Sequence, residues 1–318
     1  MLSSEPQTVA GRFAPSPTGR MHLGNIYAAL MSWLSAKSRG GRWILRIEDL
    51  DSGRSRPEYA LLIEDDLRWL GLHPDEGGTS GRGPSGPYCQ SLRGPVYEHY
   101  FKILSEKAPL YPCYCSRADL LAASAPHQSD GRVVYSGHCR PATFPAPTPD
   151  TGRRHAWRIA VPDRTIAFSD RFAGPQQFNL ARDCGDFVVR RSDGSWAYQL
   201  AVVVDDALMG VTEVIRGNDL LLSAAQQIYL YELLGFKTPH FGHLPLLCNA
   251  EGQRLSKRDQ SLSMASLRLK YTPEQLLGRL ARLCIPQFTA DSISLSELLA
   301  AYTELKAPLF QVKDHIVL

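Results

Sequence analysis

The stretch Pro15-Ser-Pro-Thr-Gly-Arg-Met-His-Leu-Gly-Asn25 decides the fold of this chain. Its prolines and Gly19 favour a turn-rich loop, and apolar residues then recur with helical spacing at Ile26, Leu30 and Leu34. The pattern predicts a helix whose first turn directly follows a loop. Backbone N–H groups at such a helix start are unpaired and the helix dipole favours anions, so the stretch also predicts a phosphate-binding site.

The predicted helix start places His22, Gly24 and Asn25 beside that phosphate, with Gly24 allowing close approach. A second segment, Arg254-Leu-Ser-Lys-Arg258, lies about 230 residues further along the chain. Lys257 could swing onto a triphosphate there as a mobile point charge. Each segment alone is ambiguous, since such turns are often connectors and basic clusters are usually solvated. Together they predict an ATP site.

The elements around these segments indicate an α/β fold. A strand is predicted over residues 43–47 after the first helix, and a helix over residues 57–70, which suits a parallel sheet with crossover helices. The pattern is irregular from about residue 109 to residue 185, which we interpret as an insertion. Regular strand and helix alternation returns with the apolar run Ala201-Val-Val-Val204, followed by a helix over residues 223–234 that stops at Gly235.

Capping signals at Thr272-Pro-Glu-Gln275 and Ser294-Leu-Ser-Glu297 predict C-terminal helices that pack on the sheet domain. We therefore expect a Rossmann-like parallel sheet domain that is interrupted by an insertion and followed by a short C-terminal helical region. The predicted order is the first half of the sheet domain, the insertion, the second half of the sheet domain, and the Arg254–Arg258 segment with the C-terminal helices, at residues 1–108, 109–185, 186–250 and 251–318.

Composition is that of an ordinary globular protein, with 44% hydrophobic and 21% charged residues. No apolar run has membrane-spanning length and no charged-then-apolar leader is present, so we expect a cytoplasmic protein without a membrane partner. The formal net charge of +3 permits an RNA partner without demanding one. The spacing of the seven cysteines is unlike a secreted disulfide scaffold and favours reduced thiols.

The His-Leu-Gly-Asn and Leu-Ser-Lys-Arg segments resemble the two signatures of class I aminoacyl-tRNA synthetases. Three more segments narrow the resemblance to the glutamyl branch: Arg12-Phe-Ala-Pro-Ser-Pro-Thr-Gly19, Leu45-Arg-Ile-Glu-Asp-Leu-Asp51, and Val203-Val-Asp-Asp206 with Val214-Ile-Arg-Gly217. The short chain is most similar to the truncated paralogues of that branch, the glutamyl-Q tRNA(Asp) synthetase family. Two residues depart from the general class I pattern: Asn25 replaces a His, as is common in this branch, and Arg254 replaces a Lys.

The resemblance implies ATP-dependent conversion of glutamate to glutamyl-adenylate and its transfer to queuosine in the anticodon loop of tRNA(Asp), without tRNA being needed for activation. His22, Asn25 and Lys257 would be catalytic, and His22, Gly24, Asn25 and Lys257 would bind ATP together with Mg²⁺. The family's glutamate pocket corresponds here to Arg12, Phe13, Ala14, Pro15, Ser16, Glu48, Tyr198 and Arg216. Arg12 would bind the side-chain carboxylate and Glu48 the ammonium, tasks that suit a bidentate guanidinium and an anion.

A zinc site is predicted in the insertion. Cys113 and Cys115, followed by Cys139, offer three thiolates that could close a tetrahedral site holding one Zn²⁺ per chain. The resemblance assigns the fourth ligand to Tyr135, whereas chemistry alone would prefer His138 or His127, because a phenol titrates near ~10. Without a metal, these cysteines would be buried apolar residues or surface thiols.

Other readings of the chain remain open. It could be a short glutamyl-tRNA synthetase that charges a tRNA 3′ end, a tRNA-binding paralogue without catalysis, or an adenylating enzyme with a non-RNA acceptor. A monomer is expected. Asp205-Asp206 resembles a paired-carboxylate site and His240-x-x-His243 a metal pair, but neighbours in sequence need not converge, and we rank both low.

Overall fold

The computed structural model describes residues 8–116, 119, 134–146, 148–150, 152–248, 262–285, 288–305 and 315–317. Its strands, numbered in chain order, are β1 (Ala10–Phe13), β2 (Arg42–Leu45), β3 (Glu76–Gly77), β4 (Leu110–Cys113), β5 (Ala156–Ile159), β6 (Thr165–Asp170), β7 (Gly174–Asn179), β8 (Phe187–Arg190), β9 (Glu213–Gly217), β10 (His240–Leu244), β11 (Leu246–Cys248) and β12 (His315–Val317).

The helices, numbered likewise, are α1 (Leu23–Lys37), α2 (Pro57–Trp69), α3 (Gly94–Lys107), α4 (Tyr198–Leu208), α5 (Leu221–Leu234), α6 (Met264–Lys270), α7 (Pro273–Cys284) and α8 (Leu295–Glu304). None of the helices in the described part of the chain combines the length and apolarity that a membrane span requires.

Five strands form a parallel sheet in the order β10-β9-β1-β2-β3. The helices α1, α2 and α5 are the crossovers between β1 and β2, β2 and β3, and β9 and β10. This is the doubly wound order expected of a Rossmann-like fold, with the chain reversing direction across the sheet between β1 and β9. The predicted α/β class is therefore confirmed.

Predicted helix ends agree with the structure where capping chemistry is strong. His22 is the N-cap of α1, and Thr272 and Ser294 form capping boxes at the starts of α7 and α8. Gly235 ends α5 with φ +73°, a left-handed conformation that glycine adopts at little cost.

The interpretation of Ala201–Val204 as part of a returning strand pattern was wrong, because this run lies inside helix α4. Residues Leu200 to Asp206 are all buried, so the helix has no exposed face over about two turns. An apolar run buried on every side carries no periodicity that separates helix from strand. The strand that returns to the sheet is β9, about ten residues later.

Between β3 and α4 the chain adds an antiparallel sheet in the order β4-β5-β8 and the hairpin β6–β7. The hairpin turn reaches back to the parallel sheet, where the N–H of Arg171 donates to the carbonyl of Phe241 in β10 at 2.9 Å. Side chains from this region therefore reach the sheet that carries the candidate site.

Apolar side chains cover both faces of the parallel sheet. On one face, α1 packs with the C-terminal helices through residues that include Leu30, Leu280 and Leu298. On the other, α3, α4 and α5 pack with the antiparallel sheet. The expectation that the C-terminal helices pack on the sheet domain is confirmed.

Candidate active site at the carboxyl ends of the parallel strands

The reversal of strand order between β1 and β9 opens a crevice at the carboxyl ends of these strands, where open α/β sheets bind ligands. Arg12 lies near the end of β1 and Arg216 near the end of β9, while helix α1 begins beside them at Leu23. The predicted phosphate site and the predicted amino acid site therefore share one edge of the sheet.

The start of α1 is organised by its own side chains. Nδ1 of His22 accepts from the N–H of Gly24 at 3.1 Å, and Oδ1 of Asn25 accepts from the N–H of His22 at 3.1 Å. Because Nδ1 is an acceptor, the proton of the neutral ring lies on Nε2. A Cβ on Gly24 would lie 3.1 Å from the His22 ring, so glycine lets the ring fold back on the helix start.

A cavity of about 190 Å³ opens at this helix start. Its walls are the first turns of α1, the end of β9 with the residues after it, and the segment joining β10 to β11. The lining includes His22, Gly24, Asn25, Gly217 and Leu246. A polar helix terminus on one side and apolar side chains on the other suit a nucleotide, whose phosphates and base need these two environments.

The predicted glutamate residues meet next to this cavity. Arg216 donates from Nη1 to the hydroxyl of Tyr198 at 3.4 Å, and the charges of Arg216, Glu48 and Arg12 all act on Tyr198, whose pKa is raised mainly by burial. Arg12 contacts Asp206 and the carbonyl of Ile215, each at 3.4 Å. Residues from β1, the segment after β2, α4 and β9 thus converge on one polar pocket.

Electrostatics in this pocket favour a ligand that carries both signs of charge. Burial lowers the pKa of Arg216, and the nearby charge of Arg12 acts in the same direction. Burial also raises the pKa of Glu48, against the charges of Arg46 and Arg12. Two guanidinium groups that repel each other are stabilised by a carboxylate, and a buried carboxylate by an ammonium.

The remaining predicted pocket residues lie on the loop after β1. The side chain of Phe13 stacks on Trp43 in the core, with ring centroids 6.2 Å apart, so its side chain packs away from the polar pocket. The carbonyl of Pro15 accepts from the N–H of Glu48 at 3.0 Å, which holds the loop against β2. Ala14 is half-buried and Ser16 is exposed.

A cluster of three cysteines lies at the end of β4. The sulfurs of Cys113, Cys115 and Cys139 are all within 4.8 Å of one another, and those of Cys115 and Cys139 are 3.5 Å apart. Ligand sulfurs on a tetrahedral Zn²⁺ would be separated by about 3.8 Å, given Zn–S bonds of about 2.3 Å. The donor set and its spacing therefore fit zinc.

Tyr135 is the fourth group of this cluster. Its hydroxyl oxygen lies 3.5 Å from the sulfur of Cys113 and 3.8 Å from that of Cys115. Burial raises the pKa of the Cys113 thiol, but hydrogen bonding with Tyr135 and Arg158 outweighs it and the pKa is lowered. His138 is exposed and outside the cluster, and His127 lies outside the described residues. Among the described side chains, the geometry favours Tyr135 over His138.

Residues 8–309 match the family described as tRNA synthetases class I (E and Q), catalytic domain. The chain belongs to this family. It is 53% identical over 282 residues to a glutamyl-Q tRNA(Asp) synthetase of Symbiobacterium thermophilum, covering 86% of each chain. It is 49% identical over 286 residues to a protein of the same name from Nitratidesulfovibrio vulgaris, covering 88% of each.

A solved glutamate tRNA ligase from Elizabethkingia meningosepticum, in complex with its amino acid, has a TM-score of 0.78 and 31% identity to this chain. The match covers 92% of this chain and 64% of that ligase, so the chain spans about two thirds of the solved protein's length. The enzyme is a ligase of the aminoacyl-tRNA synthetase class, and such synthetases use ATP with Mg²⁺.

The synthetase's second signature, Arg254–Arg258, lies wholly outside the described residues. The described chain resumes at Leu262, and Ser263 forms an isolated antiparallel bridge with His22. This bridge joins the start of α1 to a residue that follows the second signature in the sequence, and the placement of Lys257 stays a prediction.

Sequence reasoning missed the buried ion network beneath the synthetase's polar pocket. Arg46 donates to Asp206 at 2.6 Å and to Glu48 at 3.1 Å, with its side chain fully buried. Asp205 accepts from Arg93 at 2.6 Å. The sequence feature that could have predicted this network is the presence of charged residues within apolar runs, since an unpaired buried ion would destabilise the fold. Asp205 and Asp206 are thus paired with arginines, a role that the sequence did not predict.

The side chains of His240 and His243, the other pair that we ranked low, lie in different environments. His240 is exposed, whereas His243 is buried and lies between Asp170 and Arg216. They do not form a metal site among the described residues, because only the three-cysteine group has metal-binding geometry there.

Proposed function

We propose that this synthetase activates L-glutamate with ATP to form glutamyl-adenylate and transfers the glutamyl group to queuosine in the anticodon loop of tRNA(Asp). The observation that carries the proposal is the meeting of the His22 helix-start cavity with the Arg12, Glu48 and Arg216 pocket at one strand edge. A nucleotide in the first would lie beside an amino acid in the second.

Glutamate suits the pocket because it has two carboxylates and one ammonium. In the proposal, Arg12 binds the side-chain carboxylate and Glu48 binds the ammonium. Arg216 and Tyr198 line the same pocket. Arg46 and Asp206 stabilise this set from below, since Arg46 contacts both Glu48 and Asp206. Because the network is already paired within the chain, we propose that activation does not require tRNA.

In the first step, an oxygen of the glutamate α-carboxylate attacks the α-phosphorus of ATP. The bond from that phosphorus to the bridging oxygen breaks and pyrophosphate leaves with the electron pair. The step needs no protein nucleophile. His22 and the start of α1 would stabilise charge at the α-phosphate, with Asn25 holding the cap, and Lys257 with Mg²⁺ would stabilise the leaving pyrophosphate.

In the second step, a hydroxyl of the queuosine ring attacks the activated carbonyl and an ester forms. The bond from the carbonyl carbon to the phosphate oxygen breaks, AMP leaves with the electron pair, and the hydroxyl proton is released to solvent. The choice of this acceptor is supported by identity together with coverage. Relatives named glutamyl-Q tRNA(Asp) synthetase are 53% and 49% identical and are covered over 86% and 88% of their length, whereas a glutamate–tRNA ligase of Alkalilimnicola ehrlichii is 44% identical and is covered over 59%. Charging of a tRNA 3′ end is the second candidate, since the glutamate tRNA ligase shares the fold.

We also propose one structural Zn²⁺ per chain, held by Cys113, Cys115, Tyr135 and Cys139. The support is the spacing of these four groups and the guanidinium of Arg158, which lies 3.8 Å from the centre of the Tyr135 ring. A cation there stabilises a metal-bound phenolate. A cytoplasmic monomer remains our expectation.

Glutamate-dependent exchange of labelled pyrophosphate into ATP, measured without tRNA, tests the activation step. We expect exchange with glutamate, little with glutamine or aspartate, and loss in Glu48→Gln but not in the exposed control Glu58→Gln. Exchange that appears only when tRNA is added would contradict the proposed independence from tRNA.

Transfer of labelled glutamate tests the acceptor. The substrates are tRNA(Asp) with queuosine, tRNA(Asp) without it, and queuosine-containing tRNA(Asp) that lacks the 3′-terminal adenosine. We expect labelling of the first and third substrates and none of the second. Labelling that requires the terminal adenosine would favour the tRNA 3′-end candidate instead.

A further inference from the structure

A hydrogen-bonded chain of three buried side chains ends at Arg216. Oδ2 of Asp170 lies 2.6 Å from Nδ1 of His243, and Nε2 of His243 lies 2.9 Å from Nε of Arg216. The side chains of Asp170 and His243 are completely buried, and Arg216 is nearly so. Strand register places Arg216 of β9 directly beside His243 of β10.

The donors and acceptors of these three side chains permit only one tautomer of a neutral His243 ring. Arginine has donors and no acceptor, so Nε2 of His243 must accept from Nε–H of Arg216. The ring proton then lies on Nδ1 and is donated to Asp170. A carboxylate at this position therefore selects the tautomer that can hold the guanidinium.

Asp170 divides its two oxygens between separate tasks. Oδ1 accepts from the backbone N–H groups of Phe172 at 3.0 Å, Ala173 at 2.9 Å and His243 at 2.9 Å, which shapes the turn of the β6–β7 hairpin. Oδ2 contacts the His243 ring. If Asp170 only stabilised the turn, Oδ1 alone would be sufficient. The hydrogen bond between Oδ2 and the His243 ring therefore indicates a second role for Asp170.

Arg216 is held on its other sides by weaker contacts. Its Nη1 and Nη2 donate to the Tyr198 hydroxyl at 3.4 Å and to the Leu220 carbonyl at 3.2 Å. The bond to His243 at 2.9 Å is the shortest of the three, and Phe241 lies against both the His243 ring and the guanidinium. His243 is thus the main constraint on the angle of the guanidinium plane.

We propose that Asp170 and His243 are positioning residues that orient Arg216 for binding glutamate, and that the β6–β7 hairpin supplies part of the amino acid specificity through them. The inference rests on the proposed function, since it takes Arg216 as a glutamate-pocket residue. Neither Asp170 nor His243 touches the substrate in this proposal.

Asp170→Asn is the most informative variant. Oδ1 remains to accept the three backbone N–H groups, so the hairpin turn is kept, while an NH₂ group replaces Oδ2. That NH₂ forces either a donor–donor contact at Nδ1 or a tautomer whose Nε2–H opposes Arg216. We expect KM for glutamate in pyrophosphate exchange to rise at least about 10-fold, with KM for ATP changed less than about two-fold.

His243→Gln and His243→Asn separate the two ends of the imidazole. A glutamine amide reaches the Nε2 position and can accept from Arg216, whereas an asparagine amide reaches only the Nδ1 position. We expect His243→Gln to keep KM for glutamate within a few-fold of the parent and His243→Asn to raise it as Asp170→Asn does. His240→Gln, an exposed histidine at the other end of β10, is the matched control and should behave as the parent.

The ¹⁵N chemical shifts of the His243 ring provide a readout that does not depend on activity. We expect protonated Nδ1 and unprotonated Nε2 in the parent, and a changed pattern in Asp170→Asn. Parent kinetics in Asp170→Asn and His243→Asn, or a parent ring protonated on Nε2, would overturn the inference. Absence of glutamate-dependent exchange in the parent, with the expected ring tautomer, would overturn the proposed function and, with it, the role in glutamate binding.

Discussion

The backbone N–H of Met264 donates to the carbonyl oxygen of Met21 at 2.9 Å. This bond joins the residue before His22 to the first residue of α6, which follows the second signature. Arg268 of α6 adds an ion pair with Asp66 at 3.0 Å, and Asp66 also binds Arg20 at 2.8 Å. These contacts join the segment before α1 to α2 and α6, and Lys257 precedes the first residue of α6 by seven positions in the sequence. The role of Lys257 at the helix start is tested by substitution.

Lys257→Ala should abolish most glutamate-dependent pyrophosphate exchange, because the charge it is proposed to stabilise develops only as pyrophosphate leaves. The melting temperature should stay at the parent value. Lys270→Ala, which removes an exposed lysine at the end of α6, is the control and should exchange normally. Parent-like exchange in Lys257→Ala would remove Lys257 from the ATP site.

Freshly purified protein should contain one zinc per chain by metal analysis, and Cys113→Ser should lose it. The three thiolates are ligands that structural zinc prefers, and Tyr135 is the proposed fourth ligand that would close the tetrahedral set. Cys89→Ser is the control, since Cys89 lies outside the cluster. We expect Cys113→Ser to lose local stability in the insertion and to keep pyrophosphate exchange. Protein free of zinc before any chelator treatment would be evidence against the site.

Arg46→Met should lower the free energy of unfolding by about 3–5 kcal/mol, because Asp206 and Glu48 would keep buried charges without their main partner. Urea unfolding measures the change. Arg54→Met offers a matched control, since the Arg54 side chain is 77% exposed and its pair with Asp51 is screened by water. An unfolding midpoint for Arg46→Met equal to that of Arg54→Met would show that the buried network contributes little.

Stability should fall as the pH is lowered from about 7 to about 5, in part through His243. Burial, with a smaller effect from Arg216, lowers the pKa of His243 from 6.5 to about 4, so the unfolded chain binds the proton at a higher pH than the native protein does. The contribution of neutral His243 to the free energy of unfolding is fully present above pH 6.5 and is lost as the pH falls toward 4. By pH 5 the loss is on the order of 2 kcal/mol.

Urea unfolding of the parent and of His243→Gln at both pH values tests this expectation. The variant lacks the titrating ring, so its stability should decline less between pH 7 and pH 5. Equal declines in the two proteins would show that other groups carry the pH dependence.

Capping and signature chemistry could be predicted from the sequence because both depend on short-range contacts. His22, Thr272 and Ser294 each cap a helix using a partner two or three residues away. The α/β class followed from strand and helix order in the same way. The apolar run Ala201–Val204 could not be assigned correctly, since a segment buried on every side shows no helical period.

The sequence by itself determined the α/β class, the helix start at His22 and the capping of the C-terminal helices, since these depend on neighbours along the chain. Only the tertiary structure decided which charged groups meet: Arg46 with Asp206, His243 with Asp170 and Arg216, and Tyr135 rather than His138 with the cysteines. Strand order and register bring these partners together. Because the groups are buried, each ion or hydrogen-bond donor requires a partner, and that partner cannot be identified from the neighbouring sequence.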